Sequence, residues 1–274
     1  MLSPLLGVGM EEALYISDMK GLRHSTKTYT RLYYGAEFCE HLIPTVWNLN
    51  KIIGITAKGG MEFTFVTPYV SDFGLRKLDS LFGVIAKKRP NSEVVVNDFG
   101  VLRILNGKYP SLKPVLGRLL VKQQKDPRII GLEGKVPEEM IKHYKGSNLV
   151  VPILYNYLKD LGIERVEMDN PLHGMDINLK KTGLSGSLHI PYVYVTTTRY
   201  CLANSCDSLD SRNIVSTNAC GRECQSYTFK LMHNSMPVPL ILKGNTQFIK
   251  NENIPKNLED IGIDRLVHQP ELKL

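Results

Sequence analysis

Residues 61–105, MEFTFVTPYVSDFGLRKLDSLFGVIAKKRPNSEVVVNDFGVLRIL, read as strand, helix, strand and helix in one run. Met61 to Val66 alternates, is rich in β-branched and aromatic residues, and is followed by Pro68, which is a strand signal. Ser71 stands at an N-cap position. Leu75, Leu78, Leu81, Phe82 and Ile85 then recur at three- to four-residue spacing, the stripe of an amphipathic helix. Pro90-Asn91 breaks that helix. Glu93 to Asn97 reads as a buried strand, and Asp98 can cap the next helix through Leu105.

The same alternation continues on both sides. Arg31 to Tyr34 is a short apolar run ending at Gly35, and Pro114 to Leu119 holds another strand candidate. Val151 to Leu161 is helical, with Gly162 where a left-handed residue is favoured. Ile163 to Met168 returns as a strand ending in Asp169-Asn170, and His189 to Val195 and Val238 to Leu242 complete the series. Six or seven strands separated by helices predict parallel β/α units. Over 274 residues this points to a TIM-like (β/α) barrel, complete or incomplete. No G-x-G-x-x-G follows a strand and no G-x-x-x-x-G-K-[ST] occurs, so a Rossmann site and a P-loop are not supported. With no internal repeat or linker tract, residues 1–274 read as one barrel-like domain. Residues 196–230 read as a cysteine-rich loop inserted at its C-terminal rim.

A composition of 43% hydrophobic and 22% charged residues excludes collagen-like, low-complexity and broadly disordered chains. No apolar run reaches the roughly 18 residues of a membrane span. Residues 1–10 carry no basic residue and Glu11-Glu12 follows, so the start does not read as a signal peptide. The expected location is the cytoplasm, where stable disulfides are rare.

That matters for Cys39, Cys201, Cys206, Cys220 and Cys224. Inert packing fits Cys39 or Cys206 taken singly. It fits the 201–224 group badly, because Asn204, Ser205, Asp207, Ser208, Asp210, Ser211 and Arg212 are polar. A polar loop with four thiols points to metal ligation, by zinc or an iron–sulfur cluster. The spacing is C-x4-C, a thirteen-residue gap and C-x3-C, not the C-x2-C knuckles of structural zinc sites. A 4Fe–4S cube spreads its ligand sulfurs wider and suits such spacing, with zinc the alternative.

Chemistry in parallel β/α folds gathers at the C-terminal ends of the strands. That places Glu37, Asn97, Asp98, Arg118, Asp169, Asn170, Arg199, Asn245 and Thr246 near one mouth. Among them Asn97, Asp98, Arg118, Asp169 and Asn245 are the candidate substrate-binding residues. The Arg118 guanidinium there would suit a carboxylate-bearing ligand. Cys39 also follows a strand end, so it and the 201–224 group would meet at that rim.

Other catalytic patterns are weaker. Gly183-Leu184-Ser185-Gly186-Ser187 lacks the final glycine of a nucleophile elbow and reads as a glycine-rich turn. Cys39 and His41 are two residues apart, a poor spacing for a preformed nucleophile–base pair, and H-E-x-x-H is absent. The formal charge of +7 is concentrated in residues 103–145, where ten bases face four acids. That window is a solvated surface or a face for RNA or an anionic metabolite.

Tyr34-Gly35-Ala36-Glu37-Phe38-Cys39, Val96 to Leu102, Gly117-Arg118-Leu119-Leu120 and Arg199-Tyr200-Cys201 together resemble the peptidase U32 family. That family is annotated collagenase-like and includes the UbiU/UbiV proteins of oxygen-independent ubiquinone hydroxylation and related RNA-hydroxylation proteins. The cysteine pattern is most similar to that of the UbiV-like members, and Pro239 to Gln247 resembles the strand and turn after their cluster. The resemblance implies a barrel and a 4Fe–4S cluster on Cys39, Cys201, Cys220 and Cys224, with Cys206 a bystander. It also implies a role in oxygen-independent hydroxylation or a related modification, with a protein partner such as a related family member. The E-x-F-x-x-G-[SA] element of the larger peptidase-annotated members is absent, which counts against a peptidase. A zinc- or cluster-stabilised RNA-binding module is the remaining alternative.

Overall fold

The barrel strands are buried on both faces, and successive side chains alternate between two cores. The computed structural model describes residues 9–204, 206 and 219–274. β1 (Glu11–Ile16) and β2 (Arg31–Gly35) lead to α1 (Val46–Lys58), β3 (Glu62–Val66), α2 (Asp72–Lys88) and β4 (Glu93–Val96). Then come α3 (Phe99–Lys108), β5 (Lys113–Leu116), α4 (Glu138–Lys145), α5 (Pro152–Asp160), β6 (Arg165–Asp169) and β7 (Ser185–Ile190). An excursion of β8 (Tyr192–Thr197), β9 (Phe229–Leu231), β10 (Leu240–Lys243) and β11 (Thr246–Lys250) precedes β12 (Ile263–His268). The parallel strands close in the order β1-β12-β7-β6-β5-β4-β3-β2, and the excursion forms a second sheet, β8-β11-β10-β9. The fold is a complete eight-stranded TIM-like barrel.

Two expected strands come out differently. His189 to Val195 is not one strand, because Pro191 has no N–H for the ladder and the chain changes sheets there. Val238 to Leu242 contributes β10, which pairs antiparallel with β9 and β11 rather than joining the barrel. The barrel is closed instead by β1 and β12, near the two ends of the chain. The insertion is therefore larger than a loop. Its cysteines lie on the connection between β8 and β9 of a separate sheet. Ser185 and Ser187, expected in a turn, lie within β7.

Outward residues such as Leu14, Leu32, Phe63, Phe65, Val94 and Val166 pack with Leu49, Ile52, Leu78, Phe82, Ile85 and Leu105 of the helices. Inward residues Ala13, Tyr15, Tyr33, Val66, Val95, Val115 and Val267 fill the barrel. Each aliphatic side chain so buried contributes about 1.5–3 kcal/mol. Asp98 caps α3 as expected, accepting from the N–H groups of Gly100 (2.7 Å) and Val101 (3.3 Å). Ser71 precedes α2, but its hydroxyl donates to Glu40 instead of capping.

Charge also enters the barrel. Arg265 donates to Glu93 (2.7 and 3.0 Å), Glu11 (2.6 Å) and the Tyr33 hydroxyl (2.7 Å). Tyr33 in turn donates to Glu167 (2.9 Å), whose second oxygen meets His189 Nε2 at 2.6 Å. Burial alone would raise the Glu93 carboxyl. Hydrogen bonding and charge from Arg265, with the charges of Arg31 and Arg165, overcome it and hold the group down at about 2.

A carboxyl depressed in the folded state stabilises the fold above its unfolded value of about 4.3, and that contribution fades as pH falls towards the folded value. The urea midpoint should therefore drop between about pH 4.3 and pH 2. Glu93→Gln should be less stable at pH 7 and show a shallower acid limb. An equal acid limb in both proteins would remove Glu93 as its source.

Candidate functional site

Three strand ends deliver charge to the barrel mouth. Glu37 follows β2, Arg118 follows β5, and Asp169 ends β6. The Arg118 fork donates to both Glu37 oxygens (3.1 and 2.5 Å) and to Asp169 (2.8 Å), with no side chain of the three exposed. Lys125 Nζ reaches the other Asp169 oxygen at 3.0 Å and lies 3.2 Å from the Tyr194 ring centroid. Burial would raise the Asp169 carboxyl, but Lys125 and Arg118 outweigh it and hold it below the usual range. Arg118 is thus engaged by two carboxylates of its own chain.

The other expected rim residues also serve the scaffold. Asn97 donates to the Thr67 carbonyl (2.8 Å) and accepts from the Leu119 N–H (3.0 Å). Asp98 is the α3 cap. The basic window does not present one uniform face. Arg118 and Lys125 are buried in the mouth, and Lys108, Arg128 and Lys145 pair with Asp79, Asp126 and Glu133.

Above the mouth, Phe38 packs edge-on against Phe248 and contacts Tyr194, in an apolar cluster that includes Cys224 and Leu274. Beside it Cys39, Cys201, Cys220 and Cys224 line one cavity of about 250 Å³. Cys206 is exposed and does not line it. Cys39 follows β2 of the barrel and the other three lie between β8 and β9 of the second sheet, so their meeting depends on how sheet and barrel are docked.

Two polar clamps and one close approach do this. The Asn245 Nδ2 donates to the carbonyls of Phe38 (2.8 Å) and Thr198 (2.8 Å) and to the Tyr69 hydroxyl (2.9 Å). It joins the backbone next to Cys39 to the backbone leading into Cys201. Arg222, between Cys220 and Cys224, donates to the His41 carbonyl at 3.4 Å. It does so from a left-handed backbone (φ 62°), a conformation that costs a non-glycine residue energy. Gly244 takes φ 59°, and a Cβ there would fall 2.5 Å from Leu274 Cδ1 and 3.1 Å from Cys224 Cβ.

The cavity lining includes the bases His41 and Arg199 and, among the described residues, no Asp or Glu. Burial pushes the Cys39 thiol up to about 11, with further repulsion from Cys224, Cys220 and Cys201. Burial also raises Cys201 and Cys224. Loading a metal would therefore displace protons from thiols. A donor set of sulfur without carboxylate is soft and suits zinc or an iron–sulfur cluster. Among the described residues no three His, Cys, Asp or Glu side chains form a group that could hold a single metal ion.

Tyr69, Arg222 and Gly244 were not expected at the site. For Gly244 a signal existed: a two-residue Gly-Asn loop between apolar runs marks a hairpin. Arg222 and Tyr69 carry no local signal, since their roles arise from contacts 181 and 176 residues away in the chain.

No family model and no curated protein matches the chain. Among solved structures it is similar to the U32 peptidase Mk0906, over 100% of this chain and 97% of the other, at 10% identity and a TM-score of 0.47.

Replacing Arg118 with Met should cost about 3–5 kcal/mol in urea unfolding, because Glu37 would stay buried without its counter-charge and Asp169 would keep only Lys125. Asn245→Ala should cost about 1–3 kcal/mol. It should also speed alkylation of Cys39 and Cys201 by iodoacetamide, followed by peptide mass. Unchanged alkylation would mean that Asn245 does not hold the cysteines in place.

Proposed function

We propose that Cys39, Cys201, Cys220 and Cys224 hold a 4Fe–4S cluster, and that the chain is an iron–sulfur component of an oxygen-independent hydroxylation or related modification. The observation that carries the cluster is the meeting of Cys39 with three cysteines more than 160 residues away around one cavity with no Asp or Glu among its described lining residues. A donor set of sulfur alone suits a cluster, with zinc the alternative, and the C-x4-C and C-x3-C spacing is not the C-x2-C of structural zinc sites. When bound, a four-cysteine cluster supplies one-electron transfer. Asn245, Arg222 and Gly244 set where its ligands stand, and the Gln225 side chain donates to Cys224 Sγ at 3.6 Å. The hydroxylation role and a protein partner rest on the sequence resemblance.

A peptidase has less support. Ser187, His189 and Glu167 are neighbours, but all three are sealed inside the barrel, and His189 Nε2 is committed to Glu167. No helix among the described residues is long and apolar enough to cross a membrane.

Protein purified without oxygen should be brown, absorb near ~400 nm and contain about four irons and four sulfides per chain. Cys39→Ala should lower the iron content and Cys206→Ala should leave it unchanged. A colourless protein loaded with zinc, or iron retained without Cys39, would overturn this reading.

A further inference from the structure

Three helices of the barrel wall begin with an exposed aromatic residue. Trp47 is the second residue of α1, Phe73 the second of α2 and Phe99 the first of α3, and they are 61%, 53% and 49% exposed. Each is followed four residues later by a base, Lys51, Lys77 or Arg103, and that spacing puts ring and base on one helix face. Lys51 Nζ stands 3.6 Å from the Trp47 ring centroid, and Lys77 Nζ 4.2 Å from that of Phe73. We propose that this aromatic and basic arc docks the protein peripherally on an anionic lipid bilayer.

The three pairs form one surface. α1 packs on α2 and α2 on α3, so their first turns stand side by side, separated by roughly the 8–10 Å of packed helices. The charge of the arc is one-sided. The first two turns of the three helices hold Lys51, Arg76, Lys77 and Arg103, all exposed, against one acid, Asp72. The neighbouring acids are engaged: Glu40 accepts from the Ser71 N–H (2.8 Å), Asp98 caps α3, and Asp79 pairs with Lys108 (3.2 Å). None of the arc residues lines the cysteine cavity, so the proposal stands apart from what that cavity binds.

The pattern of rings and charges selects the occupant. Each ring starts a separate helix and is bordered by charge, whereas a stable protein interface has a continuous apolar core depleted of charge. Stacking on nucleic-acid bases needs free ring faces, and Trp47 and Phe73 each give one face to a lysine of their own chain. The headgroup layer of a membrane accepts single aromatic rings, and bases beside them meet the lipid phosphates. The excess of bases makes an anionic leaflet the better match than a neutral one.

Trp47 is the only tryptophan in the chain, so intrinsic fluorescence reads the arc directly. The test titrates the purified protein with vesicles of phosphatidylcholine, alone or with about 30% phosphatidylglycerol, and measures binding in parallel by sedimentation. Anionic vesicles should shift the Trp47 emission to the blue and bind at least about tenfold more tightly than neutral ones. Lys77→Gln and Arg103→Gln should each weaken that binding about fivefold. The double variant Phe73→Ser/Phe99→Ser should weaken it at least about tenfold, and the two charge variants carry the test should the aromatic one fold poorly. No binding to anionic vesicles, equal binding to neutral ones, an unshifted Trp47 in the sedimented protein, or full binding by the charge variants would overturn the proposal. So would a blue shift with polyuridylate or polyglutamate and none with vesicles, which would assign the arc to a nucleic acid or an acidic protein.

Discussion

Arg118 spans the place where the barrel's own hydrogen bonds are thinnest. β5 and β6 share a single register pair, Leu116 with Val166. Arg118 leaves the end of β5 and reaches Asp169 at the end of β6. The same fork crosses to Glu37 beyond β2, and one nitrogen also donates to the Tyr192 carbonyl (3.2 Å), where the second sheet begins. One guanidinium therefore ties the seam, the opposite wall and the insertion together. Burying these charges costs several kcal/mol per ion before pairing. The cost is offset because the fork meets two carboxylates and Asp169 gains a second cation in Lys125.

The position of the second sheet follows from this anchor. Tyr194 on β8 donates its hydroxyl to the Arg118 carbonyl (2.9 Å), and its N–H donates to Asp169 (3.2 Å). With β8 held on the mouth, β11 is held by pairing to β8, and the β10–β11 turn brings Gly244 and Asn245 over Phe38 and Cys224. The cysteine cavity is thus a joint product of barrel and insertion.

Much of the barrel was legible from periodicity. β3, β4, α2 and α3 lie where alternation, helical spacing and the Asp98 cap placed them, because each signal is local. β1 and β12 were harder. Their burial depends on pairing with each other across about 250 residues, and Glu11 and Arg265 look like surface residues until they meet inside the barrel. Pro191 was the overlooked local sign that the His189–Val195 stretch could not remain one strand.

The candidate site divides along the same line. The sequence by itself determined the residue chemistry: four thiols in polar surroundings, basic groups near strand ends, and a parallel β/α pattern that sends those ends to one rim. Tertiary structure alone decided which groups are available. It assigned Arg118, Asn97 and Asp98 to the scaffold and brought Cys39 to one cavity with Cys201, Cys220 and Cys224. A strand pattern shows which end of a strand a residue occupies, but not which distant charge will meet it. Arg118 is spent on its own chain because folding brings it carboxylates from 51 and 81 residues away.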